Sequence, residues 1–361
     1  MTEPVPGAAE RPFRHHGRSR DIVALALMNL LFNILTLSWW RFWGKTRVRR
    51  FLWSHTTLWG DPLDYTGTGR ELFLGFLVVV FLVFSPLMIV LTALQAALET
   101  GQAWAGAAII AIQVFFVFLA GAGLYRAYRY QMTRTRWRAV RAGLDGAAWQ
   151  YGLHVLGVAL AVSVSLGWAL PWGQMKLLRY RLDHTLFGDL AFECDARARG
   201  LYGRFAVVWL FGLLALAALL WFGVLIARMG GTDALFGREG FGIAFNAAAF
   251  LCLSLLWCLA YAWYKAAFYR ELAAHTRFGG HAFALDAHAW PLFGLAFGNA
   301  LISLLSLGVL APWAAVRTFR FVCSNLTMAG QPDFDRVNQT ARTAPRLGEG
   351  LATVFDGAGS F

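Results

Sequence analysis

Four polar side chains stand directly before, or one residue away from, a threonine. His55, His184 and Asn325 take equivalent places in three similar stretches, and His275 precedes Thr276 in a weaker one. Imidazoles gathered from several places could hold a metal ion or pass a proton. The plainer reading, preferred here, is a polar group that closes a local turn and recurs because its surroundings recur; no metal and no cofactor are expected. A second set lies inside apolar stretches: Asn29, Asn33, Thr36, His154, Ser163, Ser165, Asn299, Ser303 and Ser306. Polar groups at membrane depth need partners. These could line a hydrated path, or they could hydrogen-bond between helices, which is the reading favoured. Asn33 and Thr36, like Ser303 and Ser306, are three apart and so can share a helical face. A third set is cationic: Arg47 and Arg50, Lys176 and Arg179, Arg317 and Arg320. Each pair sits in a basic, aromatic stretch just after an apolar one, where an anionic headgroup would be met.

Other patterns lead nowhere catalytic. Gly44-Lys45-Thr46 ends like a phosphate loop, but a glycine is required where Trp39 stands. Gly67-x-Gly69 precedes an apolar helix rather than a Rossmann unit. It reads as a tight turn at a helix start, with Thr68 or Gly69 near the first residue and Glu71 in the first turn, where an anion suits the helix dipole. No paired carboxylates and no Ser/His/Asp set occur at depth, so no enzyme is expected. The four cysteines form no C-x-x-C pair, which implies neither a disulfide framework nor a zinc site.

The positioning elements recur with the residues. Thr36-Leu37-Ser38 is followed by Trp43, Arg47, Arg50, Thr57, Gly60 and Tyr65. Ser165-Leu166-Gly167 is followed by Pro171-Trp172, Lys176, Arg179, Thr185, Gly188 and Phe192. Ser306-Leu307-Gly308 is followed by Pro312-Trp313, Arg317, Arg320, Thr327, Gly330 and Phe334. Trp43, Trp172 and Trp313, the threonines Thr57, Thr185 and Thr327, and the glycines Gly60, Gly188 and Gly330 form the signature of the three blocks, which occupy about residues 22–66, 151–193 and 292–335. Each T-x-x-G followed by an aromatic reads as a strand, a turn and a returning strand. Two weaker elements, around Thr135 and Thr276, follow the same plan. Five such elements could pair edge to edge, since an isolated hairpin is marginal.

Composition sets the environment. The 361 residues are 58% hydrophobic and only 14% charged, against about 25% charged in a soluble domain. Four apolar stretches near 72–98, 104–125, 205–227 and 241–263 each reach the roughly 20 residues that cross a bilayer. They come in two pairs whose turns are poor in Lys and Arg, so those turns should face outward. Three further stretches, 22–43, 151–172 and 292–313, have basic residues on both flanks. They read as broken, re-entrant segments, turning where Gly frees the backbone and Pro removes a helical hydrogen bond. Ser38 and Phe42 replace that Gly and Pro in the first block. The net charge of +12 lies beside apolar segments and leaves no soluble module for nucleic acid. It suits the anionic cytoplasmic leaflet. Residues 1–20 read as a disordered basic cytoplasmic arm, 21–337 as one integral membrane domain, and 338–361 as a flexible tail.

The stretch Asn29-x-x-x-Asn33-x-x-Thr36-Leu37, then Trp43, the basic run 47–50, Phe51, and Tyr65-Thr66-Gly67-Thr68-Gly69-Arg70-Glu71-Leu72-Phe73 resembles the YjgN-like family of bacterial inner-membrane proteins, whose shared domain has no assigned function. The resemblance runs from about Phe13 to Phe334 and implies a bacterial inner-membrane location. It brings no catalytic residue. The expected fold is an all-α, multi-pass membrane protein with a cytoplasmic N-terminus. It is built from internal repeats of a broken segment plus a transmembrane helical hairpin, with short cytoplasmic β elements. Two functions fit: a passive or facilitated transporter of a small solute around a central path, or a membrane-interface scaffold that interacts with lipid through a basic, aromatic face.

Overall fold

The structure is a computed structural model and describes residues 9–228 and 240–330. The first eight residues of the expected arm, the loop at 230–239 and the tail from 338 lie outside the described residues.

The chain is mostly helical, and its helices come in pairs rooted in short strands. Strands β1 (Ala9–Glu10) and β2 (Phe13–His15) lead into α1 (Ser19–Leu35), which turns into α2 (Arg41–Ser54) and returns to β3 (Thr56–Leu58), β4 (Asp61–Pro62) and β5 (Asp64–Tyr65). The second pair is longer. Its outgoing arm is α3 (Gly69–Val79), a π-turn at Val80–Phe84 and α4 (Ser85–Glu99). Its returning arm is α5 (Ala103–Thr133), which leads to β6 (Thr135–Trp137) and β7 (Val140–Leu144). The third is short again: α6 (Ala148–Val164) and α7 (Leu170–Asp183), then β8 (Thr185–Phe187) and β9 (Leu190–Cys194). A 3₁₀ turn (Arg199–Leu201) opens the fourth, made of α8 (Tyr202–Arg228) and α9 (Gly240–Ala274), followed by β10 (Thr276–Phe278) and β11 (His281–Leu285). The fifth is α10 (Ala289–Leu305) and α11 (Ala311–Asn325), ending in β12 (Leu326–Ala329).

The strands join into a circuit. Hydrogen-bonded neighbours run β1-β12-β11-β10-β9-β8-β7-β6-β5 in one sheet and β2-β3-β4 in another. Only two residues separate β1 from β2, and only Leu63 separates β4 from β5. The chain itself therefore links both sheets at both ends, and the strands close on themselves. Ala9 pairs with Ala329 at the seam. The expected disordered arm is thus corrected over residues 9–20: it supplies two strands and the start of a helix, because the circuit needs a partner for β12 on one side and β3 on the other. The strand elements are also more than an accessory to an all-α fold, since every helix pair begins and ends in this layer.

Alternate strands point side chains at one another across the strand between them. The Trp137 and Phe187 rings lie 5.8 Å apart, and Phe187 and Phe278 lie 6.4 Å apart. The Trp137 indole donates to the Leu58 carbonyl at 3.0 Å. Strands two apart in a flat sheet are separated by about 9.5 Å, so these residues converge on a concave face. Trp137 is 2% exposed, and the inside of the ring is apolar at this level.

Each short pair turns in the same way. Leu37, Leu166 and Leu307 take φ of 50°, 48° and 49°, and Ser38, Gly167 and Gly308 follow at 70°, 90° and 82°. The second of these amides reaches five residues back: Ser38 to Asn33, Gly167 to Val162 and Gly308 to Ser303, at 2.6–2.7 Å. This is a Schellman-like helix end. Ser38 adopts the left-handed conformation that its counterparts leave to glycine. Pro171 and Pro312 sit in the first turn of the returning helix, where a missing N–H costs nothing. In the long second pair, the π-turn precedes Pro86, and the Ser85 hydroxyl donates to the Val80 carbonyl at 2.9 Å.

Among the described residues, four helical stretches are long and apolar enough to cross a membrane: Gly69–Glu99, Ala103–Thr133, Arg199–Val224 and Phe245–Ala274. They belong to the second and fourth pairs. The helices of the other pairs are shorter.

Candidate functional site

The helix roots carry most of the polar chemistry, and their organisation starts with the last turn of each returning helix. A helix leaves its last four carbonyls unpaired. Here two consecutive side chains answer two of them. Thr56, Thr135, Thr185 and Thr276 donate their hydroxyls to the carbonyl four residues back, at 2.7, 2.9, 2.7 and 2.6 Å. The preceding side chain bonds its own carbonyl four back: His55, His184 and His275 through Nδ1 at 2.8, 2.7 and 3.0 Å, and Asn325 through Nδ2 at 2.7 Å. The His55 and His184 rings also stack on Phe51 and Tyr180, at 4.1 and 4.2 Å. These imidazoles close helix ends. Among the described residues no group of three or more His, Cys, Asp or Glu side chains could hold a metal.

The register refines the signature. Thr185 opens its strand directly after the helix-closing His184, whereas Thr57 and Thr327 stand one residue later, with Thr56 and Leu326 in the place of Thr185. Gly60 and Gly188 lie in two-residue turns between paired strands, closed by Leu58 with Asp61 and by Phe187 with Leu190. Gly330 follows β12 with φ of 84°.

The base of each helix pair is closed by one backbone bond from the residue ahead of the pair to the capping residue behind it: His16 to His55, Thr66 to Arg134, Asp145 to His184, Asp195 to His275 and Asp286 to Asn325, at 2.7–3.1 Å. Neighbouring pairs are then joined by arginines. An arginine stands five residues before every capping position: Arg50, Arg129, Arg179, Arg270 and Arg320. Arg50 donates to the Gly67 carbonyl at 2.9 Å, Arg129 to the Gly146 carbonyl, and Arg320 to the Gly17 carbonyl at 2.9 Å. Each acceptor lies just ahead of the next helix pair. Sequence reasoning missed Arg129 and these acceptors, although the constant five-residue spacing was a usable signal.

The Tyr-Thr-Gly-Thr-Gly stretch is a packing device of the same joint. A Cβ on Gly67 would lie 2.6 Å from the Tyr65 hydroxyl, and one on Gly69 would lie 2.7 Å from Trp43 Cγ. Thr68 and Glu71 form a capping box. Glu71 also accepts from the Tyr130 hydroxyl at 2.6 Å and from Arg134 at 2.7 Å. The tight helix start read from the sequence is what the stretch builds.

The polar residues inside the short pairs are used within them. The hydroxyls of Thr36, Ser165 and Ser306 donate backward, to the carbonyls of Phe32, Val162 and Ile302, and accept from the amides of Trp40, Ala169 and Leu310. Each staples the end of one arm to the start of the next. Asn29 donates to the Gly44 carbonyl at 3.4 Å, and Asn299 to the Ala314 carbonyl at 3.2 Å. These are equivalent clamps between arms in the first and fifth pairs; the third pair replaces the clamp with Val158 against Gly173. Arg317 donates to Asn299 Oδ1 at 2.9 Å. Asn33 Oδ1 is buried without a partner. Ser163 is exposed and Ser303 half-buried, and neither side chain is brought to another of the set.

The joint between the third and fourth pairs is built differently. Arg179 turns to Asp183, with Nε 3.5 Å from Oδ2, and leaves the acceptor position at Ala196 without its clamp. The linker is one residue longer here. Ala198 precedes the 3₁₀ turn, two residues after Ala196, whereas Arg18, Thr68 and Ala147 follow Gly17, Gly67 and Gly146 directly. A cavity of about 460 Å³ opens beside it, bounded by α7, the linker and the start of α8. Lys176, Arg179, Arg197 and Arg199 line it with Asp183, and Trp172, Tyr180, Tyr202 and His154 contribute to its wall. Asp183 is fixed by the Cys194 amide at 2.8 Å, and Lys176 lies 5.0 Å over the Trp172 ring. Such a site can attract and orient an anion.

Residues 10–354 match the family described as bacterial protein of unknown function (DUF898). The chain belongs to that family. It is also similar to the inner membrane protein YjgN of Escherichia coli O157:H7, at 24% identity over 147 residues, which is 40% of this chain and 32% of that relative. The matched part is thus about a third of the relative's length. No solved structure matches the chain. The chain is thus a member of a bacterial family with four helices long and apolar enough to cross a membrane among the described residues.

Proposed function

We propose that this member of the DUF898 family is a membrane-interface scaffold whose layer of strands and helix roots lies on the cytoplasmic leaflet and holds anionic headgroups. The observation that carries the reading is where the cations sit. The turns at 36–40, 100–102, 165–169 and 306–310 contain no Lys or Arg, with Arg41 directly after the first and Arg238 in the segment 229–239 outside the described residues, while the roots carry Arg14, Arg18, Arg49, Arg50, Arg126, Arg129, Arg179 and Arg320, and the middle of α7 and α11 carries Lys176 and Arg317. Cations on one side of a membrane domain mark its cytoplasmic face, and an anionic surface attracts them by about 1 kcal/mol each.

On this reading the chain is built from internal repeats. The second and fourth helix pairs cross the membrane and come back. The first, third and fifth enter it and return on the same side, because β2 and β3, which flank the first pair, are hydrogen-bonded to each other. Their apolar turns, with Leu37, Leu166 and Leu307 at 85%, 78% and 92% exposure, then lie in lipid. A central solute path receives less support: the hydroxyls of Thr36, Ser165 and Ser306 close turns, and Asn29 and Asn299 clamp helices.

The test is accessibility of single cysteines placed at Thr57, Leu186 and Thr100 in a cysteine-free background. Labelling of Thr57→Cys and Leu186→Cys from the cytoplasm alone, and of Thr100→Cys from outside alone, is expected. Labelling of Thr57→Cys and Leu186→Cys from opposite sides would overturn the topology.

A further inference from the structure

We infer that the cavity between the third and fourth helix pairs is a specific site for a dianionic phosphate group, with Arg179 leaving Asp183 to bind it. The inference rests on the scaffold reading and narrows it to one site and one charge state.

Comparison of the joints carries the argument. At three of the five joints the arginine five residues before the cap is spent on a backbone carbonyl; Arg179 and Arg270 make no such bond among the described residues, and of these two only Arg179 stands beside the longer linker and the cavity. Here the homologously placed Arg179 holds only an exposed, long contact to Asp183, with side chains 47% and 35% exposed. An exposed pair of this kind is worth little and is easily exchanged for a better acceptor. Arg197 and Arg199 make no ion pair or side-chain hydrogen bond among the described residues. Both belong to the one linker that carries the extra residue. Four cations therefore face one carboxylate, and that carboxylate is anchored by the Cys194 amide. A phosphodiester, with one negative charge, would leave most of this excess uncompensated. A phosphomonoester carries nearly two at neutral pH and offers three oxygens to guanidinium forks.

The shape adds direction. The arginines of the linker lie at the root end, while Trp172 is the third residue of α7, next to the membrane turn. The wall thus runs from cationic to aromatic, as a headgroup with its chains would require. The volume suits a small ligand, for which sites span about 300–1,000 Å³. The same phosphate chemistry could also come from a free ion.

The test uses the full chain in phosphatidylcholine nanodiscs doped with phosphatidic acid or with phosphatidylglycerol, with bound lipids counted by native mass spectrometry. Retention of phosphatidic acid over phosphatidylglycerol by about tenfold is expected. Arg197→Gln with Arg199→Gln should abolish that preference, and Arg136→Gln with Arg277→Gln, exposed on β6 and β10, should keep it. Asp183→Asn should strengthen it, since Arg179 is released. Loss of the preference on adding inorganic phosphate would keep the site and assign it to the free ion. Equal retention by the Arg197/Arg199 variant, with an unchanged melting temperature, would overturn the site. A wild type that favours both anionic lipids equally over phosphatidylcholine would also overturn the site while leaving the scaffold reading intact. No anionic enrichment at all would remove both.

Discussion

Arg320 Nη2 donates to the Gly17 carbonyl at 2.9 Å across 303 positions of sequence. The bond fastens the fifth helix pair to the start of the first, alongside a core in which Ile22 and Leu52 pack with Ala315 and Val316. The seam between β1 and β12 lies on the same joint. The ends of the chain are thereby held by a hydrogen bond, an apolar cluster and a strand pair together, which is why residues 9–20 are ordered despite their polar composition.

Arg320→Leu removes the clamp and leaves the Gly17 carbonyl without its donor. A loss of about 1 kcal/mol is expected, seen as a lower melting temperature in detergent. Trypsin should also cut earlier at Arg11 and Arg14, because β1 and β2 lose their anchor. An unchanged cleavage rate would mean that the strand pairing closes the ring unaided.

Thr276→Val keeps the shape of a 6% exposed side chain and deletes its hydroxyl, so the Leu272 carbonyl loses a 2.6 Å bond. Loss of a buried bond of this kind costs about 1–3 kcal/mol. Thr276→Ser should recover most of it. Equal stability of Val and Ser variants would show that the hydroxyl is dispensable, and the capping account of the threonines would fall with it.

The two long apolar helix pairs, the turns of the short pairs and the strand–turn–strand elements are legible in the sequence because they are local. Length in apolar residues marks the first, Leu-Gly before Pro-Trp the second, and T-x-x-G the third. The threonine register slipped by one residue at Thr57 and Thr327, because T-x-x-G counts back from the glycine, whereas the hydrogen-bonded position is set by the helix end, where His55 and Asn325 lie one residue farther from Gly60 and Gly330 than His184 lies from Gly188. The closure of the strands depends on Ala9 meeting Ala329, and no periodicity announces a pairing over that separation. Arg197 and Arg199 went unnoticed for a related reason. They belong to no recurring element, and the feature that distinguishes them is a departure from the pattern rather than an instance of it. Asn29 and Asn299 stand out in the sequence as polar residues within apolar stretches, but each donates to a backbone carbonyl of the facing arm, and a carbonyl carries no sequence signal.

Gly69→Ala should disable the joint between the first and second pairs. The added methyl would lie 2.7 Å from Trp43 Cγ and 2.8 Å from its Cα, and the latter, as backbone, cannot swing away. Overpacking of this kind costs about 1–3 kcal/mol, with a drop in the monodisperse peak on size exclusion. Gly203→Ala, where the methyl would meet nothing within 4 Å, is the matched control and should behave as wild type. Similar behaviour of the two variants would mean that Trp43 does not need the space.

His15 makes the ring seam sensitive to acid. Its Nδ1 bonds the Thr56 hydroxyl at 2.9 Å, and its Nε2 is buried without a partner. Burial, and then the charges of Arg320, His55 and His16, push its pKa down to about 4 from 6.5. The unfolded chain therefore takes up the proton first as the pH falls. The stability that neutral His15 contributes is complete above pH 6.5 and is lost progressively down to about pH 4. His15→Asn carries no titrating ring, so the difference in melting temperature between wild type and variant should shrink or reverse across that window, with trypsin sensitivity at Arg14 rising in parallel for wild type only. A difference that stays constant with pH would show that His15 does not titrate across the window, and the acid sensitivity of the seam would then have to come from the carboxylates instead.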